Sequence, residues 1–241
     1  MKAALLTGAS GDIGSAIARD LAADGWSLYL HYFANQEKVE KLIQELLRAY
    51  PQQEFYPLQM NLTDEAEMEK IAAQIFSLQA IVFAHGTTEY GLLQHVHSRE
   101  MDDLWGMHVK MPILIIQAFQ DKISRSENGR IVFISSVYGA VGSGLEVLYS
   151  TVKGAQIAFV KAYSKEVAYT GVTVNAVCPG AIDTKMNEHL TGEEKAELMD
   201  EIPVGRLGNP AEVSFWVAQL LKTESSYLTG QAIYVTGGWL K

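Results

Sequence analysis

The strongest constraint on this chain is the place of one glycine-rich turn. The apolar run Ala3–Thr7 passes straight into Gly8-Ala9-Ser10-Gly11-Asp12-Ile13-Gly14, and a helical pattern begins inside that turn. A loop joining a first strand to a first helix presents unpaired N–H groups and the positive end of a helix dipole, which together make an anion site. Further apolar runs follow at Ser27–Tyr32, Glu54–Met60, Ala80–Ala84, Arg130–Ser135, Val172–Cys178 and Ala232–Thr236. Helical patterns fill the gaps, near 12–24, 36–49, 64–76, 99–123, 149–169 and 210–221. This alternation predicts an α/β fold, a doubly wound parallel sheet of about seven strands with helices on both faces. The runs lack polar alternate positions, as strands buried on both sides do.

No linker, repeat or low-complexity tract interrupts the rhythm, so one domain over residues 1–241 is expected. Composition is ordinary for a globular chain, 48% hydrophobic and 20% charged. The single cysteine excludes an internal disulfide or a Cys-based metal site, and no metal is expected. Lys and Arg number 19 against 28 Asp and Glu, a net charge of −9, which disfavours nucleic acid as a partner. No run approaches the ~18 apolar residues of a membrane span. The first apolar stretch is too short for a signal peptide, so a cytoplasmic setting is expected. Residues 185–209 break the rhythm: charged, helical over Gly192–Glu201, and closed by Pro203, Gly205 and Gly208. Following a strand end, this segment is placed to act as a substrate lid.

Three residues form a candidate catalytic set. Tyr149 and Lys153 stand at i and i+4 near a helix start, so both project from one face. Ser136 lies just past the run Arg130–Ser135, at the strand end where open α/β sheets bind ligands. A carbonyl that accepts a hydride needs a proton at its oxygen. A phenol with an ordinary pKa of about 10 gives one slowly near neutrality. A nearby ammonium favours the phenolate, and a serine hydroxyl can hold the substrate oxygen and stabilise its developing charge. Cys178 reads as a core residue at a strand end.

Together these features resemble the short-chain dehydrogenase/reductase family. Thr7-Gly8 through Gly14 is similar to that family's Thr-Gly-x-x-x-Gly-x-Gly motif, with Asp12 in the place of a glycine and Gly11 just before it. Ser136, 13 residues before Tyr149, keeps the family's spacing. The resemblance implies a Rossmann-like fold and an NAD(P)-dependent carbonyl reductase with Ser136, Tyr149 and Lys153 catalytic. Lys153 would also bind the nicotinamide ribose. Cofactor contacts are implied for Thr7, Gly8, Ser10, Gly11, Asp12, Ile13 and Gly14, for Asn61 at the adenine, and for Gly86. Tyr149 and Lys153 belong to the same set, with Pro179, Gly180, Ile182 and Thr184 along the nicotinamide. The Asp12 side chain would have to point away from the phosphates. Asn61 reads equally as a turn residue. Tyr32 occupies the place where NAD-specific relatives carry the acid that binds the ribose diol, so NADPH is expected over NADH. His108 stands where the family has a fourth catalytic residue, an Asn that holds a relay water. It reads either as a proton shuttle titrating near neutrality or as a buried structural histidine. The last strand implies a homodimer or homotetramer.

Two branches of the family compete. The 3-oxoacyl-acyl-carrier-protein reductases share Gly129-Arg130-Ile131 and Pro203-Val204-Gly205-Arg206-Leu207. Thr170 replaces the basic residue they use before Gly171 to grip the acidic carrier, leaving Arg125 and Arg130 as a thinned patch. The bacterial elongation factor P 5-aminopentanone reductases look similar in His31-Tyr32, in His108, in Glu146-Val147-Leu148-Tyr149-Ser150 and in Lys153-Gly154-Ala155-Gln156. Their substrate is an amine-bearing ketone on a lysine of elongation factor P. Glu146, three residues before Tyr149, would attract such an amine and repel an anionic thioester arm; it reads otherwise as a solvated loop charge. A dinucleotide-binding sensor without turnover is a third reading, against which stand both Tyr149 and Lys153.

Overall fold

A computed structural model describes residues 2–188 and 190–240; residues 1, 189 and 241, which the single-domain and lid expectations include, lie outside the described set. Seven parallel strands form one sheet in the order β3-β2-β1-β4-β5-β6-β7. The strands are β1 (Lys2–Thr7), β2 (Trp26–Tyr32), β3 (Phe55–Gln59), β4 (Ala80–Phe83), β5 (Arg130–Ile134), β6 (Thr173–Pro179) and β7 (Ala232–Val235). The helices are α1 (Asp12–Ala23), α2 (Gln36–Ala49), α3 (Glu67–Gln74), α4 (Ser98–Trp105), α5 (Met111–Ser124), α6 (Tyr138–Val141), α7 (Val147–Val167), α8 (Gly192–Glu201) and α9 (Pro210–Leu221).

The two-residue period of the strands divides the core. Ala4 and Leu6 of β1 enter a cluster with Ile17 and Leu21 of α1, Leu42 and Leu46 of α2, and Val213 and Val217 of α9. Ala3 and Leu5 enter the opposite cluster, with Ile71 of α3, Ile115 and Phe119 of α5, and Ile157 and Val160 of α7. All seven residues of β2 and all seven of β6 are buried. At the edge, β3 tolerates Pro57, whose missing N–H interrupts no central ladder. Helix α9 starts on a full set of signals: Asn209 accepts from the Ala211 N–H, Pro210 is its first residue and Glu212 closes a capping box.

The helical pattern over 99–123 forms in two pieces. Between α4 and α5 the chain widens into a π-helical stretch at Gly106–Lys110, centred on His108. Among the described residues, no helix is long and apolar enough to cross a membrane.

Candidate active site

Chain connectivity reverses direction between β1 and β4, and at such a switch the strand ends leave a crevice. Two cavities occupy this end of the sheet. The smaller, about 110 Å³, is lined by Ile13, Gly86, Lys153, Pro179, Gly180, Ile182 and Thr184, all residues of the expected cofactor set, together with His85 and Ser135. The larger, about 290 Å³, is lined by Thr88, Tyr90, Tyr138, Glu146, Leu190, Glu194, Leu198 and Trp239. Ser136, Tyr149, Gly180, Met186 and Asn187 face both. Ser136 and Tyr149 therefore lie at the junction, and Lys153 lines the smaller cavity.

The glycine loop fits an anionic cofactor. Gly8 has φ +74°, and a Cβ there would lie 2.6 Å from the His85 Cα; a Cβ on Gly14 would lie 2.1 Å from the Gly8 carbonyl oxygen. Only glycine permits this tight path. Helix α1 starts at Gly11 with no side-chain cap, which leaves its first N–H groups for a ligand such as a pyrophosphate. Ser10 and Gly11 lie on the outer side of this loop, partly or fully exposed. Asp12 turns away as expected: its carboxylate accepts from Lys38 Nζ at 3.1 Å and from the Lys185 N–H at 2.8 Å. Burial opposes its ionisation, but these two donors outweigh it and hold the carboxyl below the usual range.

Several expected cofactor contacts have other work. The Thr7 hydroxyl is buried against His85 Nδ1 at 2.6 Å. Tyr32 is buried in the α1–α2–α9 cluster, so it presents no acid and little phenol to the crevice. The Asn61 oxygen closes a turn on Thr63, through both the N–H and the hydroxyl.

The electrostatics of the catalytic set differ from the simple expectation. Lys153 Nζ donates to the Ile134 carbonyl at 2.8 Å and lies 5.5 Å from the centre of the Tyr149 ring. Burial pushes its pKa down to about 7. Burial raises the Tyr149 phenol well above its usual value, with a hydrogen bond to Ser136 pulling the other way. The expected lowering of that phenol by Lys153 is thus not realised in the free protein, because burial dominates both groups. Burial also pushes the Cys178 thiol up to about 11, consistent with a core residue.

His108 is fully buried, and burial, Lys153 and His85 hold it well below an ordinary histidine. Its Nε2–H donates to the Thr87 carbonyl at 3.0 Å, and its Nδ1 has no hydrogen-bond partner. Its burial and this single donated bond fit the reading of His108 as a buried structural histidine better than that of a proton shuttle. Its own carbonyl accepts from the Gln156 side chain at 2.8 Å.

The sequence reading missed the histidines that flank it. His31 accepts the Gly8 N–H on Nδ1 and donates from Nε2 to the Met60 carbonyl. His85 donates from Nε2 to the Met107 carbonyl, which leaves Nδ1 to accept from Thr7. Ring contacts run from His31 to His85 to His108 to Tyr149, with centroids 6.4, 6.2 and 6.0 Å apart.

Glu146 is half-buried, with both carboxylate oxygens hydrogen-bonded. Thr88 donates to one carboxylate oxygen at 2.8 Å and Ser143 to the other at 3.3 Å. The preceding residue, Leu145, has φ 65°, and its carbonyl accepts from the Gly91 N–H at 2.7 Å, which ties the two loops beside the larger cavity. No lysine or arginine lines that cavity among the described residues. The expected basic patch is thinner still: Arg130 is fully buried, bonded to the Gly129 and Lys222 carbonyls, and Arg125 pairs with Asp121 at 3.7 Å.

The segment expected to form a lid contains a short turn at Lys185–Asn187 and α8, which buries no residue. Met186, Asn187, Leu190, Glu194 and Leu198 of this segment line the larger cavity.

Comparison with known proteins agrees with this geometry. A family model described as enoyl-(acyl carrier protein) reductase matches residues 8–240. The chain is 41% identical to the oxidoreductase YmfI of Bacillus subtilis (strain 168), over 99% of this chain and 98% of the relative. It is 34% identical to the 3-oxoacyl-[acyl-carrier-protein] reductase FabG of Staphylococcus aureus (strain Mu50), over 98% and 97%. Among solved structures, a blue fluorescent protein from a metagenomic library, in complex with NADPH, superposes with a TM-score of 0.92 at 28% identity, covering 100% of this chain and 98% of that one.

Proposed function

Because the chain belongs to the short-chain dehydrogenase/reductase family, and is thereby an NAD(P)-dependent oxidoreductase, we propose that it uses NADPH to reduce a ketone borne on a cationic, amine-containing group, as the elongation factor P 5-aminopentanone reductases do. The observation that carries the substrate class is Glu146, a carboxylate held by Thr88 and Ser143 in a cavity that no lysine or arginine lines among the described residues. Tyr90, Tyr138 and Trp239 add aromatic faces, which also favour a cation.

The bound nicotinamide supplies the hydride. Ser136 holds the ketone oxygen through its hydroxyl, and Tyr149 gives that oxygen its proton. With a dinucleotide bound, Lys153 would hold the nicotinamide ribose and, in its charged form, would stabilise the phenolate left on Tyr149. Fixed side-chain donors aimed at the reacting oxygen need no rearrangement during the step. NADPH is preferred because nothing acidic stands at the end of β2 to bind a free ribose diol or repel a 2′-phosphate; the NADPH complex of the metagenomic neighbour supports the same choice. A homodimer or homotetramer is part of this proposal. So is the lid role of residues 185–209.

The second reading is reduction of a 3-oxoacyl group on acyl carrier protein, favoured by the likeness to FabG. Net charge −9, Thr170 before Gly171 and the burial of Arg130 all weigh against an acidic carrier. Steady-state NADPH oxidation tests the two readings, with a 5-aminopentanone-type ketone, a neutral ketone of equal length and a 3-oxoacyl thioester. The proposal expects the highest kcat/KM for the aminoketone. A clear preference for the thioester reverses the order of the readings, and no turnover of any carbonyl compound favours a sensor.

A further inference from the structure

The first residue of α1 reaches across the crevice. Acidic side chains in a helix's first turn ordinarily serve the helix's own N–H groups. Asp12 instead directs both oxygens outward, one to Lys38 of α2 and one to the backbone N–H of Lys185, 173 residues away in sequence. Its neighbour Ile13 lines one wall of the smaller cavity, and Lys185's neighbours Thr184 and Met186 line another. The bond therefore joins two sides of that cavity's rim. Beyond Lys185 the chain continues through Asn187, Leu190 and Leu198, which wall the larger cavity. Helix α8 buries no residue of its own, and at its end Trp239 Nε1 donates to Glu201 Oε2 at 3.2 Å. One carboxylate thus joins the loop that would hold the cofactor's phosphates to the segment that covers the substrate.

We propose that Asp12 is a positioning residue that fastens the segment beginning at Lys185 to the glycine loop, so that opening of the substrate cavity and release of the dinucleotide are one event. Lys38 makes the arrangement compatible with a bound pyrophosphate. A bare carboxylate at the N-terminus of α1 would repel the phosphates, and the ammonium beside it cancels that charge. The inference rests on dinucleotide binding alone and is independent of which ketone is reduced.

Stopped-flow displacement of bound NADPH measures its dissociation rate, and hydrogen exchange of residues 185–201 in the NADPH complex reports the covering segment. Asp12→Ala removes the acceptor and should speed dissociation about tenfold, with a matching rise in exchange; about 1.4 kcal/mol corresponds to that factor. Asp12→Asn keeps an oxygen for the Lys185 N–H and should stay within about threefold of the wild type on both readouts. Lys38→Met should weaken NADPH binding, most at low salt, while leaving exchange of residues 185–201 in the free protein unchanged. Dissociation and exchange in Asp12→Ala within twofold of the wild type would overturn the proposal. An Asn variant as fast as the Ala variant would overturn it too, because charge rather than the bond would then set the rate. A protein that binds NADPH yet reduces no aminoketone leaves this test intact.

Discussion

In the proposed reaction the half-buried Tyr149 gives its phenolic proton to the substrate oxygen and regains one in every cycle. Burial raises its pKa, so the free protein keeps it protonated and ready as the acid. Tyr149→Phe removes the proton and little of the cofactor site. Turnover should fall by about 10²–10⁴, the usual worth of general acid catalysis, while NADPH affinity changes less than about threefold. Fluorescence titration and steady-state rates check both halves; an active Phe variant would mean another group is the donor. Lys153 carries a pH prediction. Its pKa of about 7 in the free protein should rise when anionic cofactor binds. Binding then favours the protonated form. Affinity should be greatest below pH 7 and weaken as pH climbs above it, with proton uptake on binding at pH 8. Calorimetry in two buffers of different ionisation enthalpy detects that uptake, and proton release would contradict it. Ser136, Tyr149 and Lys153 were legible in the sequence because their spacing is local: a strand end and one helical turn. Glu146's fixation, Asp12's partners and the burial of Arg130 were not. Each depends on a residue 58, 173 or 92 positions away.

Among the elements, the seven strands were readable from apolar runs because most are buried on both faces, and the helices from period and caps. Asn209 shows how a local signal carries weight: Asn209→Ala should lower stability by about 1 kcal/mol through loss of the α9 cap, readable as a shift in denaturant midpoint with the slope unchanged. The break inside 99–123 was hidden because a π-helical stretch leaves the hydrophobic pattern nearly intact. At its centre the His108 carbonyl accepts from Gln156 and the His108 ring donates to the Thr87 carbonyl. Such widened turns recur at functional sites, and this one places His108 against Tyr149. Residues 185–201 should exchange faster in the free protein than in the NADPH complex, since α8 buries none of its side chains. Equal protection in both states would remove the lid assignment.

For the molecule as a whole, three buried histidines among the described residues should contribute to its behaviour in acid. His31 is pushed down to about 4, His85 to about 3, and His108 well below its usual value, in each case chiefly by burial. A histidine whose folded pKa is lowered binds fewer protons folded than unfolded below about pH 6.5, so stability is complete above that pH and is lost as pH falls through it. Three such groups should lower the unfolding free energy by about 3–4 kcal/mol between pH 7.5 and 5.5. Urea melts at the two pH values measure this, and equal midpoints would show that the row is open to protonation in the folded state. The net charge of −9 acts at the same scale, since under the second reading an acidic carrier protein would meet net repulsion before docking.

The central claim is that a fixed carboxylate beside a Ser-Tyr-Lys centre selects a cationic ketone. Its most direct test is kcat/KM of the wild type and of Glu146→Gln with an aminoketone and with a neutral ketone of equal length. At roughly 4 Å and an effective dielectric of about 20, the charge pair has a Coulomb energy of a few kcal/mol before desolvation. A net preference of about 1–2 kcal/mol is expected, so the Gln variant should lose up to about thirtyfold with the aminoketone and little with the neutral ketone. Equal losses with the two substrates would make Glu146 an ordinary loop charge and contradict the assignment.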